Sequence, residues 1–162
     1  RANLLSWLKE EQPDLIIVSH GRYDLRVSSV IEDHGAELEG ALTDFLRTMT
    51  TLAPSVAFLE DVPRPPMHVP ACLVRHRRDV NRCTFGRDSG ALPEARTVEM
   101  RAAATAGVKY IATRDWFCTD SRCAAILGNI LVYADDNHIT NEIALYLEPF
   151  LEAALVPLTT KN

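Results

Sequence analysis

The sequence predicts an α/β fold built on a parallel sheet with right-handed crossovers. Two observations predict it. After its first residue Asp14–Val18 is a continuous apolar run of strand length, which marks a strand buried on both faces of a parallel sheet, and the runs Ser55–Leu59 and Val108–Ala112 read as two further strands. Each run follows a stretch whose apolar residues recur at helical spacing.

Taken in order, residues 2–11 read as the end of an amphipathic helix with Leu4, Leu5, Trp7 and Leu8 on its apolar face, closed by Pro13. The first strand, Asp14–Val18, leads into a loop, Ser19-His20-Gly21-Arg22-Tyr23-Asp24. A second helix over Ala36–Thr51 carries Leu38, Leu42, Phe45, Leu46 and Met49 inward and precedes the strand Ser55–Leu59. Val62 to Leu92 is long, Pro-rich and irregular, and so long a connection is often functional. Pro93 then opens a third helix, to Ala106, with Gly107 as its C-cap. After the strand Val108–Ala112, a Cys-containing stretch Asp115–Gly128 and a short apolar segment Ile130–Tyr133 lead to a polar turn. A final helix spans Asn141–Leu155, with a kink expected at Pro149.

The 162 residues fit one domain, with 47% apolar and 24% charged residues typical of a globular chain. A net charge of −5 argues against nucleic acid as the main partner. No apolar run approaches the roughly 18 residues needed to span a bilayer. The four cysteines fall into local pairs, Cys72 with Cys83 and Cys118 with Cys123. Four cysteines allow three pairings, and metal binding is the rival use, but these gaps fit zinc knuckles poorly. Two local disulfides are the favoured reading, and they imply an oxidising compartment.

The block Tyr133-Ala134-Asp135-Asp136-Asn137-His138-Ile139-Thr140 carries the chemistry. A carboxylate and an imidazole three positions apart suit an Asp-oriented His acting as general base. Spacing alone favours a helix N-cap cluster, since Asp, Asn and Thr all cap helices. In a parallel α/β sheet, ligands bind beyond the carboxyl ends of the strands. The turn is expected there together with the Ser19–Asp24 loop and the loop after Ser55–Leu59.

The run Asp-Leu-Ile-Ile-Val-Ser behind Glu-Glu-Gln-Pro, then Asp115-Trp116-Phe117-Cys118-Thr119 and Leu131 to Thr140, resembles SGNH (GDSL-type) hydrolases. The likeness is to the extracytoplasmic SGNH domains fused behind membrane acyltransferases of acyltransferase family three, and both local Cys pairs match that subgroup. The resemblance implies a flavodoxin-like three-layer α/β/α sandwich over residues 1–162, a single domain at the C-terminal end of a longer protein. It implies a serine-type acyltransferase or carbohydrate esterase acting on O-acyl groups of envelope glycans, without cofactor or metal. His138 is then the general base, Asp135 its partner and Asp136 a neighbour. The implied partners are the O-acylated glycan and a membrane acyltransferase domain of the same protein, and the implied location is extracytoplasmic, tethered by upstream segments.

Two departures accompany the resemblance. The family's Gly-Asp-Ser block is absent, with Asp88-Ser89-Gly90 and Asp120-Ser121 as near matches in Cys-rich loops, so the first strand and its Ser are expected upstream of Arg1. The family's Gly-x-Asn-Asp oxyanion block falls at Gly21-Arg22-Tyr23-Asp24, with Tyr23 at the Asn position. These departures support a rival reading, a non-catalytic glycan-binding or docking module. A cytosolic flavodoxin-like regulator is disfavoured by the cysteine pairs. Ser19 and His20 read as lining, Trp116 and Phe117 as packing, Asn129 as a hydrogen-bond donor near the turn. The basic run Arg75-His76-Arg77-Arg78 reads as solvated, with an anionic glycan as its alternative ligand.

Overall fold

The computed structural model describes residues 2–21, 28–89 and 93–159. These residues group into two compact units. The first comprises Arg1–Glu60, Glu94–Ile111 and Ala154–Asn162; the second comprises Asp61–Pro93 and Ala112–Ala153.

The first unit holds the parallel sheet. Helix α1 (Ala2–Glu11) precedes strand β1 (Leu15–Val18), and helix α2 (Ser28–Thr50) precedes strand β2 (Ser55–Leu59). Helix α2 is interrupted at His34, whose backbone leaves helical geometry. The strand order is β1-β2-β4, with β4 at Lys109–Ile111. Ile16 lies opposite Val56, and Phe58 lies opposite both Val18 and Tyr110. The central strand β2 is buried along Val56, Ala57 and Phe58. The edge strand β1 departs from the expectation of two-sided burial, because Ile17 is 43% exposed. Leu8 from α1, Leu46 and Met49 from α2, and Ala102 and Ala103 from α4 (Pro93–Ala106) close one core over Val56 and Phe58. Gly107 ends α4 at φ +70, where a side chain would be strained. Its N–H donates to the Ala104 carbonyl and that of Val108 to Ala103, a Schellman closure.

The second unit is built from shorter pieces. The Pro-rich stretch is more ordered than its sequence suggests. It contains α3 (Val69–Arg75), a 3-10 turn (Val80–Cys83) and β3 (Phe85–Gly86). His68 caps α3 by accepting the Ala71 N–H at 3.3 Å, and Pro70 sits in the first turn, where it costs nothing. After α5 (Arg114–Phe117), strand β5 (Arg122–Cys123) pairs antiparallel with β3. Strands β6 (Ile126–Leu127) and β7 (Ile130–Leu131) form an antiparallel hairpin. Its two-residue turn is Gly128-Asn129, with positive φ at Gly128 alone, as a type II′ turn requires.

Both expected disulfides are present, Cys72–Cys83 and Cys118–Cys123. Cys83 and Cys123 lie in the core of this unit with Val69, Phe85, Phe117, Val132, Tyr133, Ile143 and Leu147. Helix α6 (Asn141–Thr159) runs unbroken through Pro149, longer than the expected Asn141–Leu155. Among the described residues no helix is long and apolar enough to cross a membrane.

Candidate active site

The Asp/His turn is held by its flanks. Val132 and Tyr133 are fully buried. The Tyr133 ring packs against Phe85, and its hydroxyl donates to the Pro63 carbonyl at 2.6 Å. Burial, and next the Asp61 charge, push the Tyr133 phenol up, so it remains a neutral donor. Tyr133→Phe leaves that carbonyl without its donor and is expected to cost about 1–3 kcal/mol, measured by denaturant unfolding.

Beyond Tyr133 the chain folds back on itself. Thr140 N–H donates to Val132 O at 2.9 Å, Ala134 N–H donates to His138 O at 2.8 Å, and Tyr133 bridges Ile139. Thr140 is the cap that the sequence suggested: its Oγ1 accepts the Ile143 N–H at 3.3 Å at the start of α6. The same hydroxyl donates to Leu131 O at 2.6 Å. The short apolar segment before the turn belongs to an antiparallel hairpin, as the partner of β6, because the Gly128-Asn129 turn reverses the chain first.

Asp135 does not cap the helix. Its Oδ1 accepts the backbone N–H of Asn137 at 2.8 Å and of His138 at 2.7 Å. Its Oδ2 lies 2.7 Å from His138 Nδ1. With the carboxylate ionised, Nδ1 carries the proton and donates, and Nε2 presents its lone pair. Among the described residues nothing engages Nε2, and the His138 side chain is 73% exposed. Asp136 plays no part in this pair; its carboxylate lies 3.5 Å from Arg64 Nη2.

The His138 backbone N–H, then the His138 side chain, then the Asn137 N–H hold the Asp135 carboxyl well below the usual carboxylate range. A depressed folded pKa gives stability that is present above the unfolded value and lost as pH falls. Asp135→Asn is therefore expected to unfold earlier than the parent at neutral pH, and the difference is expected to shrink below about pH 4. Denaturant midpoints of the two proteins at neutral and acid pH check this.

Other sequence-predicted residues fall elsewhere. Gly21 is exposed beyond the end of β1 in the first unit. Arg22, Tyr23 and Asp24, the rest of the expected oxyanion block, lie outside the described residues. Ser19 is exposed. Asp88 binds Arg114 at 3.2 Å, and Ser121 lies within the Cys118–Cys123 loop. Phe117 is core and Trp116 packs against it, tilted on Phe150 with centroids 6.4 Å apart. The Asn129 side chain makes no hydrogen bond among the described residues and serves only the hairpin turn.

Sequence reasoning missed two buried carboxylates in the first unit. Glu99 and Glu60 are each 2% exposed. Glu99 lies 3.4 Å from His20 Nε2 and accepts the Tyr110 hydroxyl at 3.3 Å. Glu60 follows β2 and accepts Arg96 Nε at 3.0 Å. For Glu99 a signal was present: it falls on the helical stripe of Ala95, Ala102 and Ala103, and a carboxylate there must find partners. Among the described residues no cluster of His, Cys, Asp and Glu suits a metal ion.

Residues 1–153 match the model of the SGNH domain found fused to AT3 domains. The chain belongs to this family. No curated protein matches the sequence of this SGNH domain. Among solved structures it is similar to the periplasmic domain of a lipopolysaccharide acetyltransferase from Salmonella ser. Paratyphi A, with a TM-score of 0.63 and 15% identity. That similarity covers 99% of the SGNH chain and 62% of the neighbour, and it is a likeness of fold. The α/β architecture with its parallel sheet and the family resemblance both stand as the sequence predicted.

Proposed function

We propose that this SGNH domain transfers or removes O-acyl groups on cell-envelope polysaccharide through a Ser-His-Asp triad. His138 is the general base, Asp135 orients it, and a serine from outside residues 1–162 completes the triad. The observation that carries this reading is the 2.7 Å pairing of Asp135 Oδ2 with His138 Nδ1, which leaves Nε2 for the nucleophile. Family membership beside AT3 domains supports an acyl-transfer role and a membrane acyltransferase partner domain. The two disulfides support an extracytoplasmic, oxidising location.

In this mechanism Nε2 takes the serine hydroxyl proton as the oxygen attacks the ester carbonyl. The imidazolium, steadied by Asp135, returns that proton to the departing alcohol and leaves an acyl-serine. The acceptor, a sugar hydroxyl or water, then loses its proton to Nε2 and takes the acyl group, and the serine recovers the proton. Gly21, Tyr23 and Asp24 are proposed to line the oxyanion side.

The rival is a glycan-holding module of the same fold, which the missing Gly-Asp-Ser block favours. Labelling of the full-length protein with a fluorophosphonate separates the two. Covalent capture on a serine, lost in His138→Ala, is the expected result. No capture leaves the binding module.

A further inference from the structure

The second unit carries a basic projection that the proposed chemistry does not use. Arg75 ends α3, and His76, Arg77 and Arg78 follow it into a turn closed by the Asp79 N–H donating to His76 O at 2.9 Å. Arg77 and Arg78 occupy the two central positions of that turn. Its base is pinned on both sides: His76 N–H donates to Cys72 O at 2.9 Å, and Cys72 is disulfide-bonded to Cys83. Arg75, Arg77 and Arg78 are exposed and have no ion-pair partner among the described residues. Asp79, the neighbouring acid, is paired instead with Arg82 at 3.5 Å. Two aliphatic side chains flank the arginines, Val74 at 60% and Val80 at 40% exposed.

We propose that the Val74–Val80 projection docks the protein on an anionic phospholipid surface. Three arginines meet phosphate head groups, and Val74 and Val80 enter the interfacial layer beside them. Charge complementarity is strong locally and opposed globally. The chain carries net −5, so an anionic bilayer repels most of it and accepts it with this projection forward. The valines favour lipid over a soluble polyanion, because a bilayer interface rewards apolar tips beside basic residues and a hydrated polysaccharide does not. The disulfide and the turn hydrogen bond hold the tip in shape beforehand, so little ordering is needed on contact.

The test is vesicle co-sedimentation of the protein with phosphatidylcholine, alone or containing about one third phosphatidylglycerol. The parent is expected to partition to the anionic vesicles and to be released by raised salt. Replacing Arg75, Arg77 and Arg78 together with Ala is expected to weaken partitioning about a hundredfold. Replacing all three with Lys keeps binding, and Val74→Ser with Val80→Ser weakens it. Circular dichroism and intact-mass measurement confirm that each variant keeps its fold and both disulfides. No enrichment on anionic over neutral vesicles overturns the proposal, as does enrichment that the triple-Ala or the valine variant keeps in full. Retention by a soluble acidic polysaccharide without vesicle binding also overturns it and makes the run a glycan contact.

Discussion

Replacing His138 with Ala should lower ester hydrolysis by about a thousandfold or more and leave thermal unfolding nearly unchanged. The contrast follows from where the side chain stands. His138 is 73% exposed and its ring contributes nothing to the core of Val69, Phe85, Tyr133 and Ile143, so truncation opens no cavity. Its backbone carbonyl and N–H carry the turn's hydrogen bonds, and Ala supplies both. Asp135→Asn should reduce the same activity, because an amide that donates to Nδ1 stabilises the wrong tautomer and cannot steady the imidazolium. Hydrolysis of an O-acetyl ester by the full-length protein and its variants checks both. Activity retained in His138→Ala removes it from the triad; loss of activity together with early unfolding assigns it to structure instead.

Replacing Cys72 and Cys83 with Ser should cost about 3 kcal/mol, the loop-closure value for a bridge of sequence separation 11. For a chain of this size that is a fall in melting temperature of roughly 6–12 °C. The bridge joins α3, seven residues, to a 3-10 turn of four residues. Neither piece is long enough to persist on its own hydrogen bonds. Cys83 is fully buried, so two hydroxyls would also replace sulfur beside Val69 and Phe85. Thermal melts of the oxidised parent and the double variant check the magnitude, and matching melts would show that core packing alone orders the segment.

The parts of this fold that the sequence revealed are those whose burial follows one regular period. Strand β2 occupies the same residues as its expected strand and β1 and β4 fall within theirs; for β2 a Val-Ala-Phe-Leu run suits a sheet covered by helices, and in β4 the exposed Lys109 leaves Ile111 to carry the burial. Helix α4 keeps its expected ends because Pro93 and Gly107 punctuate it. The second unit was harder to read because its strands are two residues long, too short for alternation to show. The β6–β7 hairpin was within reach, since Gly128-Asn129 between two Ile-Leu pairs is a turn signal. Helix α3 was hidden by Pro70 and the prolines that precede it, although Pro70 stands where a helix tolerates one. At the site, the three-position spacing pointed to Asp135, with Asp136 beside it as a competitor. The backbone turns two N–H groups onto Asp135, and the Asp136 carboxylate lies toward Arg64.

The Asp135–His138 pair is assembled within a single four-residue turn, with no distant residue needed to aim the ring. Tautomer and reach are therefore separable. In the proposed triad the carboxylate travels with the imidazole, so a displacement of the whole turn would leave the base correctly protonated and change only its distance to the serine hydroxyl. Tyr133 and the Thr140 hydroxyl anchor the flanks of the turn, and in that triad they would set the distance. A substitution at either anchor should thus act as a change of range on a base whose chemistry is already set.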